Sequence, residues 1–461
     1  MNPPANSRYR APKEGSQLSY RTGCALDYWT VTRRLFLLGT VSLVLMGTAW
    51  ALQGHDENVD FPPIPSDHKA IQYQEHPADD PVARLGRQME KGDGKLEFDP
   101  KWGYLPSVLK NLGINVDSQV LVFSKTSFQA SRISPARPRA IYFNDTVSVG
   151  YVQESQVLEV ASLDPKQGMV FYTLDVGKSA APSFNRQDMS CLQCHMSPAT
   201  LNIPGIVVSS LYPSDDGSLG LRAFATDHRT PLEERWGGWY VTGTHSTMVH
   251  RGNASAYNSA IPSGADLRGS QNLTRLDDKF NTSAYLSTTS DIVALMTLEH
   301  QTRMTNLITR MGWETRVAAE DGMLEELRSR LDSGIAEMVT YMLFADEAPI
   351  REPIAGVSAF TKTFPQRGPR DTQGRSLRDF DLQKRLFRYP LSYMVYSEAF
   401  DSLPDIAREG VWQALYDVLT GQDRSPKFAR LSAEDRRAVW EILRDTKPTL
   451  PAYWKSSASV P

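Results

Sequence analysis

Cysteine is scarce in this chain of 461 residues, which contains only three cysteines, at positions 24, 191 and 194. None of them is spare for a structural disulfide once the pair at 191 and 194 has a role of its own. No second C-x-x-C is present to supply the other half of a zinc site. The function of the pair at 191 and 194 is therefore the first question that the sequence poses.

The chain also lacks a marked excess of charge. Its formal net charge is −3, with 22% charged and 41% hydrophobic residues, which is typical of a soluble globular domain and provides no basic bias for binding nucleic acid. It lacks a G-x-S-x-G elbow, an H-E-x-x-H helix, a Walker loop and a dinucleotide fingerprint. No local motif therefore supports a hydrolase, a zinc protease, an ATPase or a nicotinamide-dependent enzyme.

Only one long hydrophobic run is present, and it covers residues 35–52. Several basic residues precede it, and Ala49-Trp50-Ala51 provides a small-x-small cleavage pattern. A helix of this length spans about 27 Å, against a hydrocarbon core of about 30 Å. We expect residues 1–52 to be a secretory signal peptide or an N-terminal membrane anchor, which predicts a periplasmic or otherwise extracytoplasmic protein, membrane-anchored or secreted.

The most informative pattern is Cys191-Leu192-Gln193-Cys194-His195. Two thiols at this spacing can bond covalently to one edge of a haem, and the adjacent imidazole can then coordinate the iron. A thioredoxin-like redox pair would require a βαβ context, which is not visible in the sequence. The polar stretch of residues 179–190, which includes Pro182, predicts that the motif lies on a loop.

This motif resembles the haem-attachment site of c-type cytochromes. The resemblance implies one covalent haem c, with thioether bonds at Cys191 and Cys194 and with His195 as the proximal ligand of the iron. It also implies redox partner proteins and a haem-attachment machinery outside the cytoplasm. Residues 236–253 and 385–404 more broadly resemble large bacterial membrane-associated proteins that carry a single such motif.

The distal side of the iron decides between two functions. A sixth protein ligand makes the haem a carrier of single electrons, whereas an open position permits peroxide or oxygen chemistry. The candidates are His300, in an apolar helical stripe, and His245 or His250, in a Gly- and Thr-rich segment; each could be the distal ligand or a distal acid–base group. We therefore expect a c-type cytochrome that transfers single electrons or, alternatively, a monohaem redox enzyme, peroxidase-like or an oxygenase.

Other distal arrangements are also open. His228 lies in a charged loop, and methionine is the other usual partner of haem iron, with candidates at positions 196, 248, 304 and 311. Asp227 with His245 and His250 could instead form a mononuclear metal site beside the haem.

The hydrophobic periodicity predicts an α+β fold. Alternating segments rich in β-branched and aromatic residues predict antiparallel hairpins over 120–123, 140–143, 147–152, 157–161 and 169–174, followed by strands at 206–211 and 219–224. Helical periodicity predicts helices at 82–90, 291–313, 324–344, 382–389, 411–419 and 433–444, the last with a capping box at Ser432 and Asp435.

This order, a hairpin sheet, then the haem-attachment loop, then helices, predicts four segments. They are the leader (residues 1–52), a Pro-rich acidic tether (53–99), a β-rich lobe with the haem c site (100–284) and a mainly helical lobe (285–461).

Overall fold

The computed structural model describes residues 61–187, 189–211, 223–254 and 269–456. The α+β fold is confirmed, because an antiparallel sheet occupies the N-terminal half and helices occupy the C-terminal half. The predicted leader lies outside the described residues. None of the helices within these four ranges is long and apolar enough to cross a bilayer.

The main sheet is built from hairpins that follow one another along the chain. Its strands are β1 (Val120–Val122), β2 (Arg139–Phe143), β3 (Val147–Tyr151), β4 (Val157–Asp164), β5 (Gly168–Asp175), β6 (Asn185–Gln187) and, much later in the chain, β9 (Trp239–Tyr240). The spatial order is β6-β5-β4-β3-β2-β1-β9, and every neighbouring pair is antiparallel. A separate hairpin pairs β7 (Val208–Leu211) with β8 (Ala223–Thr226).

Side chains at the turns explain why the hairpins close where they do. Asn144 accepts hydrogen bonds from the backbone N–H groups of Thr146 and Val147, at 3.0 and 2.9 Å, between β2 and β3. Between β4 and β5, Asp164 accepts from the N–H of Gln167 at 2.8 Å, and Gly168 adopts φ +89°, a conformation that side chains other than glycine disfavour.

Helices pack on both faces of the main sheet and beyond it. They are α1 (Pro81–Glu90), α2 (Leu105–Asn111), α3 (Met189–His195), α4 (Ile292–Glu320), α5 (Arg328–Met342), α6 (Phe360–Thr363), α7 (Glu398–Asp401), α8 (Asp405–Leu419), α9 (Ala433–Thr446) and α10 (Ala452–Ser456). The predicted capping box of α9 is confirmed, because the Ser432 hydroxyl accepts from the Asp435 N–H and the Asp435 carboxylate accepts from the Ser432 N–H.

The helix predicted over residues 382–389 is wrong. This segment is a tight turn in which the Asp381 carboxylate accepts from the N–H groups of Gln383 and Lys384, at 2.8 and 2.7 Å. Leu382 has φ +58°, which is incompatible with a right-handed helix. An aspartate that bonds the backbone just ahead of it offers an alternative to helical hydrogen bonding, and here that alternative prevails.

Helix α4 is the central element of the C-terminal half. It is 29 residues long, and Asp291 caps its N-terminus by accepting from the N–H of Val293 at 2.8 Å. The sequence assigns its buried side to one apolar stripe, yet polar residues off that stripe, Gln301, Thr302 and Arg310, are also buried. The helix is therefore surrounded by other parts of the protein, and its polar side chains must find partners inside.

Residues 61–99, which lie within the predicted tether of residues 53–99, pack on the sheet. Tyr73 is fully buried, and its hydroxyl donates to the carbonyl oxygen of Met169 on β5 at 2.7 Å. Asp80 caps α1 and accepts from the Tyr172 hydroxyl at 2.5 Å. The domain boundaries stay predictions, although one hydrophobic core contains residues from both predicted lobes, from Val122 to Trp454.

Candidate functional site

The C-x-x-C-H motif forms the short helix α3, between β6 and β7, and not the loop that the preceding residues predict. The segment from Met189 to His195 contains neither proline nor glycine, and Leu192 is buried in the core that lies under the helix. Cys191 is half-buried and Cys194 is exposed, and neither forms a disulfide. At a spacing of three residues they lie on the same side of the helix.

His195 is oriented by a backbone carbonyl. Its Nδ1 lies 2.9 Å from the carbonyl oxygen of Gly205, so Nδ1 carries the hydrogen and donates it. The lone pair is therefore on Nε2. The ring packs against Phe171 of β5 with 4.6 Å between centroids, and burial lowers the pKa of His195, which keeps the imidazole neutral at pH 7.

The chain that follows the motif folds back on His195. The N–H of Gly205 donates to the carbonyl oxygen of His195 at 2.9 Å, so these two residues are joined by two hydrogen bonds. The Thr200 hydroxyl lies 3.2 Å from the same carbonyl and 2.9 Å from the carbonyl oxygen of Ile203. This loop, residues 196–206, closes tightly enough to fix the position of the imidazole.

Helix α4 holds the loop from outside. The Asn306 amide donates to the carbonyl oxygen of Ile206 at 2.9 Å, and the guanidinium of Arg310 donates to the carbonyl oxygen of Leu201 at 3.0 Å. Two buried polar residues on α4 thus donate to the loop that orients His195. Helix α4 therefore supports the imidazole of His195 indirectly, through the loop of residues 196–206.

These residues fit a covalent haem c. A histidine that ligates iron usually donates its other ring N–H to a carbonyl or carboxylate, and His195 does so to Gly205. Cys191 and Cys194 lie on one side of the same helix and neither forms a disulfide, as thioether formation requires. The sequence reasoning missed Gly205 and Asn306. They lie ten and more than a hundred residues after His195, and no local pattern indicates that either contacts His195 or its loop.

His300 does not have a ring nitrogen available for iron in this structure. Its Nε2 lies 2.8 Å from the Ser392 hydroxyl and its Nδ1 lies 2.8 Å from Nδ1 of His228. Both imidazoles stack with Tyr341 and Phe344, and burial lowers the pKa of His300 to about 3. His300 is a core histidine with neutral polar partners.

The two histidines of the Gly- and Thr-rich segment are also engaged. His245 donates from Nδ1 to the carbonyl oxygen of Met248 at 2.6 Å and accepts at Nε2 from the Asn272 N–H at 3.1 Å. His250 accepts at Nδ1 from the Gly252 N–H at 3.0 Å, so its hydrogen is on Nε2 and neither nitrogen has a free lone pair.

The position of these two histidines separates them further from the motif. They follow β9, which is the edge strand opposite β6, whereas the ring of His195 packs on β5. Five strand spacings between β9 and β5 amount to about 24 Å along the sheet. Sequence reasoning could not detect this, because strand order is not visible in a sequence.

The remaining candidates for the distal side also have other partners or lie in the hydrophobic core. His228 is buried and bonded to His300. The Asp227 carboxylate binds the Arg229 guanidinium at 2.7 Å, and the predicted triad of Asp227, His245 and His250 does not assemble. Within the described parts of the chain, no group of three or more His, Cys, Asp or Glu side chains could hold a metal ion. Met304 and Met311 are buried in the hydrophobic core.

Comparison with protein-family models, with curated proteins and with solved structures finds no match to this chain.

Proposed function

We propose that the protein is an extracytoplasmic c-type cytochrome that binds one haem c and transfers single electrons between redox partner proteins. The proposed haem is bonded to Cys191 and Cys194, and its iron is ligated by His195. The single observation that carries the proposal is the C-x-x-C-H helix whose histidine donates from Nδ1 to the Gly205 carbonyl, at 2.9 Å. Haem iron would supply the one-electron chemistry.

The chain's own residues support this role in three ways. The Gly205 carbonyl fixes the tautomer of His195 and increases its basicity as a ligand. Burial keeps the imidazole neutral by lowering its pKa. The exposed Cys194 places one thioether position at the protein surface, where a partner protein can approach it.

A second candidate is a monohaem redox enzyme, peroxidase-like or an oxygenase, with an open distal site. The observation that favours it is that His245, His250 and His300 have their ring nitrogens engaged elsewhere. If the described histidines keep these partners in the haem-bound protein, none of them fills the sixth position. The two candidates differ in whether an external ligand can reach the iron.

The first experiment is expression with a haem-attachment machinery, followed by mass spectrometry and visible spectra of the purified protein. We expect a mass increase of one haem, which should be lost when Cys191 and Cys194 are both changed to serine. Cys24→Ser, the only other cysteine substitution available, is the matched control and should retain the haem. An unmodified wild-type mass under these conditions would refute the proposal.

Carbon monoxide then distinguishes the two candidates. A reduced low-spin spectrum that carbon monoxide does not change means that both axial positions are filled, as an electron carrier requires. A high-spin spectrum that shifts on addition of carbon monoxide means that the iron is open, which favours the enzyme. In either case His195→Ala should change the spectrum, because it removes the proposed proximal ligand.

The cellular location is part of the proposal. The signal peptide or anchor over residues 1–52 predicts that the haem protein is recovered from the periplasmic or membrane fraction. Fractionation of cells that produce the full chain tests this, and recovery of the haem protein in the cytoplasm would contradict it.

A further inference from the structure

Beside Phe171, the face of the sheet that His195 contacts has small side chains on two neighbouring strands. Phe171 on β5 lies opposite Ala161 on β4, which lies opposite Ser148 on β3. One pair further along the strands, Gly150 of β3 occupies the same face. Directly opposite residues share a face, so Ala161, Ser148 and Gly150 form a shallow trough beside His195.

Two residues of the trough, Ser148 and Ala161, are partly accessible to solvent. Ser148, Ala161 and Ile141 are half-buried, whereas residues on the opposite face, such as Tyr142 and Val160, are fully or almost fully buried. A haem bonded to α3 beside Phe171 would therefore meet small, partly accessible side chains at Ala161 and Ser148.

One cation lies across the trough. Arg139 extends from β2 over β3, where a Cβ on Gly150 would lie only 2.7 Å from its Nε and Nη2. Its Nη2 lies 2.5 Å from a carboxylate oxygen of Glu159 on β4. Its Nε is buried and has no hydrogen-bond partner among the described residues. The absence of a side chain at Gly150 is what lets the guanidinium take this position.

Glu159 is itself held in place. Its carboxylate accepts from the Gln129 amide at 2.9 Å and from the Ser127 hydroxyl. Glu159 lies opposite Thr173 on β5, and Phe171, against which the ring of His195 packs, is two residues away on the same face of that strand, so the ion pair lies on the face of the sheet that His195 contacts. From Gly150 to β5 there are two strand spacings, about 10 Å.

We propose that Arg139, oriented by Glu159 across Gly150, binds a propionate of the haem attached at Cys191 and Cys194. This inference rests on the proposed function, since it needs the haem that the motif would bind. A propionate is a carboxylate at the rim of the ring, and a guanidinium is the side chain best matched to a carboxylate. Arg139 retains N–H donors after its bond to Glu159, because a guanidinium has five of them.

The assignment gives Arg139 a function that a structural ion pair does not have. A cation on a propionate offsets a negative charge near the iron, so it favours the reduced haem. It also favours the ionised propionate and so lowers the pH at which that group takes up a proton. Both effects are read from the haem midpoint potential as a function of pH, and neither depends on turnover of a substrate.

The experiment compares the potential–pH curves of the holoprotein and four variants by spectroelectrochemistry. Arg139→Gln should lower the midpoint potential and move the inflection of the curve to higher pH. Arg139→Lys keeps the positive charge but loses the planar guanidinium, which can donate two N–H groups to one carboxylate. This variant should shift the curve less. Gly150→Ala, which leaves the charge in place but displaces the guanidinium, should shift it in the same direction as Arg139→Gln. Arg137→Gln is the matched control, because Arg137 is exposed and pairs with Glu154 at the surface.

The outcomes separate this inference from the proposed function. If the wild-type chain carries no haem, the proposed function fails. If wild type carries haem and Arg139→Gln gives the same curve as Arg137→Gln, the propionate assignment fails while the function stands. If Arg139→Gln yields no folded holoprotein because Glu159 is left unpaired, Gly150→Ala decides: a curve like that of wild type overturns the assignment, and a lowered potential supports it.

Discussion

The contacts of the two ring nitrogens distinguish one histidine from another in this protein. His195 has one nitrogen on a carbonyl and the other with its lone pair unshared, whereas His245 and His300 have both nitrogens hydrogen-bonded. The sequence singles out His195 through the C-x-x-C-H motif, whereas it presents His245 and His300 only as alternative candidates for the distal side. The difference arises from backbone groups and side chains that are distant in the chain.

His250 should make the stability of the protein dependent on pH. Burial, with His245 close by, lowers the pKa of His250 to about 3 in the folded protein, against about 6.5 in the unfolded chain. Below pH 6.5 the unfolded chain therefore binds a proton that the folded protein does not. The stabilisation is complete above that pH and is lost, by up to about 1.4 kcal/mol per pH unit, as the pH falls toward 3.

His250→Gln should remove this dependence. We expect the variant to be less stable than wild type at pH 7.5 because its packing on Trp236 is lost, and the difference in unfolding free energy to shrink by pH 4.5. Urea unfolding at several pH values measures this. Gln74→Ala, at an exposed position with no titratable group, is the control and should differ from wild type by a constant amount. A constant difference for His250→Gln would contradict the prediction.

At the scale of elements, helix α3, which contains the C-x-x-C-H motif, depends on α4. The loop of residues 196–206 connects them, and the contact between Gly205 and Asn306 is so close that a Cβ on Gly205 would lie 2.4 Å from the Asn306 amide oxygen. The support of His195 therefore includes a helix that begins almost a hundred residues after it.

Gly205→Ala should destabilise the protein by displacing Asn306. We expect a loss of about 1–3 kcal/mol in unfolding free energy, as is usual for overpacking. Asn306→Ala should cost about 1–2 kcal/mol, because the Ile206 carbonyl loses its buried donor.

The double variant tests whether these two changes act through one contact. It should be more stable than the sum of the single effects predicts, because alanine at position 306 relieves the clash. Urea unfolding of all four proteins completes the double-mutant cycle. Strict additivity would mean that the two residues do not interact.

The capping box of α9 gives a simpler prediction for an element. Ser432→Ala removes the acceptor of the Asp435 N–H, a contact of 3.0 Å, and should lower the unfolding free energy by about 1 kcal/mol. Ser432→Thr keeps a hydroxyl acceptor and is the matched control. If thermal unfolding shows equal stability for the alanine and threonine variants, the cap does not contribute.

At the scale of the whole molecule, the segment before the sheet belongs to the folded body. Tyr73 is buried against β5, near Trp313 of α4 at 6.5 Å between ring centroids, and Arg186 donates to its carbonyl oxygen at 2.5 Å. A segment that joined the body to a membrane only as a flexible spacer would have no such contacts.

Tyr73→Ala should therefore destabilise the entire protein, by about 3 kcal/mol or more, and not merely loosen the N-terminus. Urea unfolding followed by tryptophan fluorescence measures this loss, and the adjacent Gln74→Ala, at an exposed position, is the control. Unfolding midpoints that are equal for the two variants would show that this segment is independent of the body.

The sequence by itself determined the elements and the motif. Strands and the long helices were predictable because local side-chain periodicity specifies which face is buried, and the α9 cap was predictable because its two partners are three residues apart. The C-x-x-C-H motif is equally local, since its five residues are contiguous. The turn at Asp381 was missed because its side chain bonds the backbone where periodicity alone favours a helix.

Only the tertiary structure decided which groups meet. The pairing of His300 with His228, the closeness of Arg139 to Glu159 and the bond from His195 to Gly205 each depend on how strands and helices pack. These contacts are stabilised by burial and by hydrogen bonds between residues that are far apart in the chain. A local sequence pattern carries no information about such contacts. For that reason the proximal side of the proposed haem could be predicted from the sequence, whereas the distal side could not.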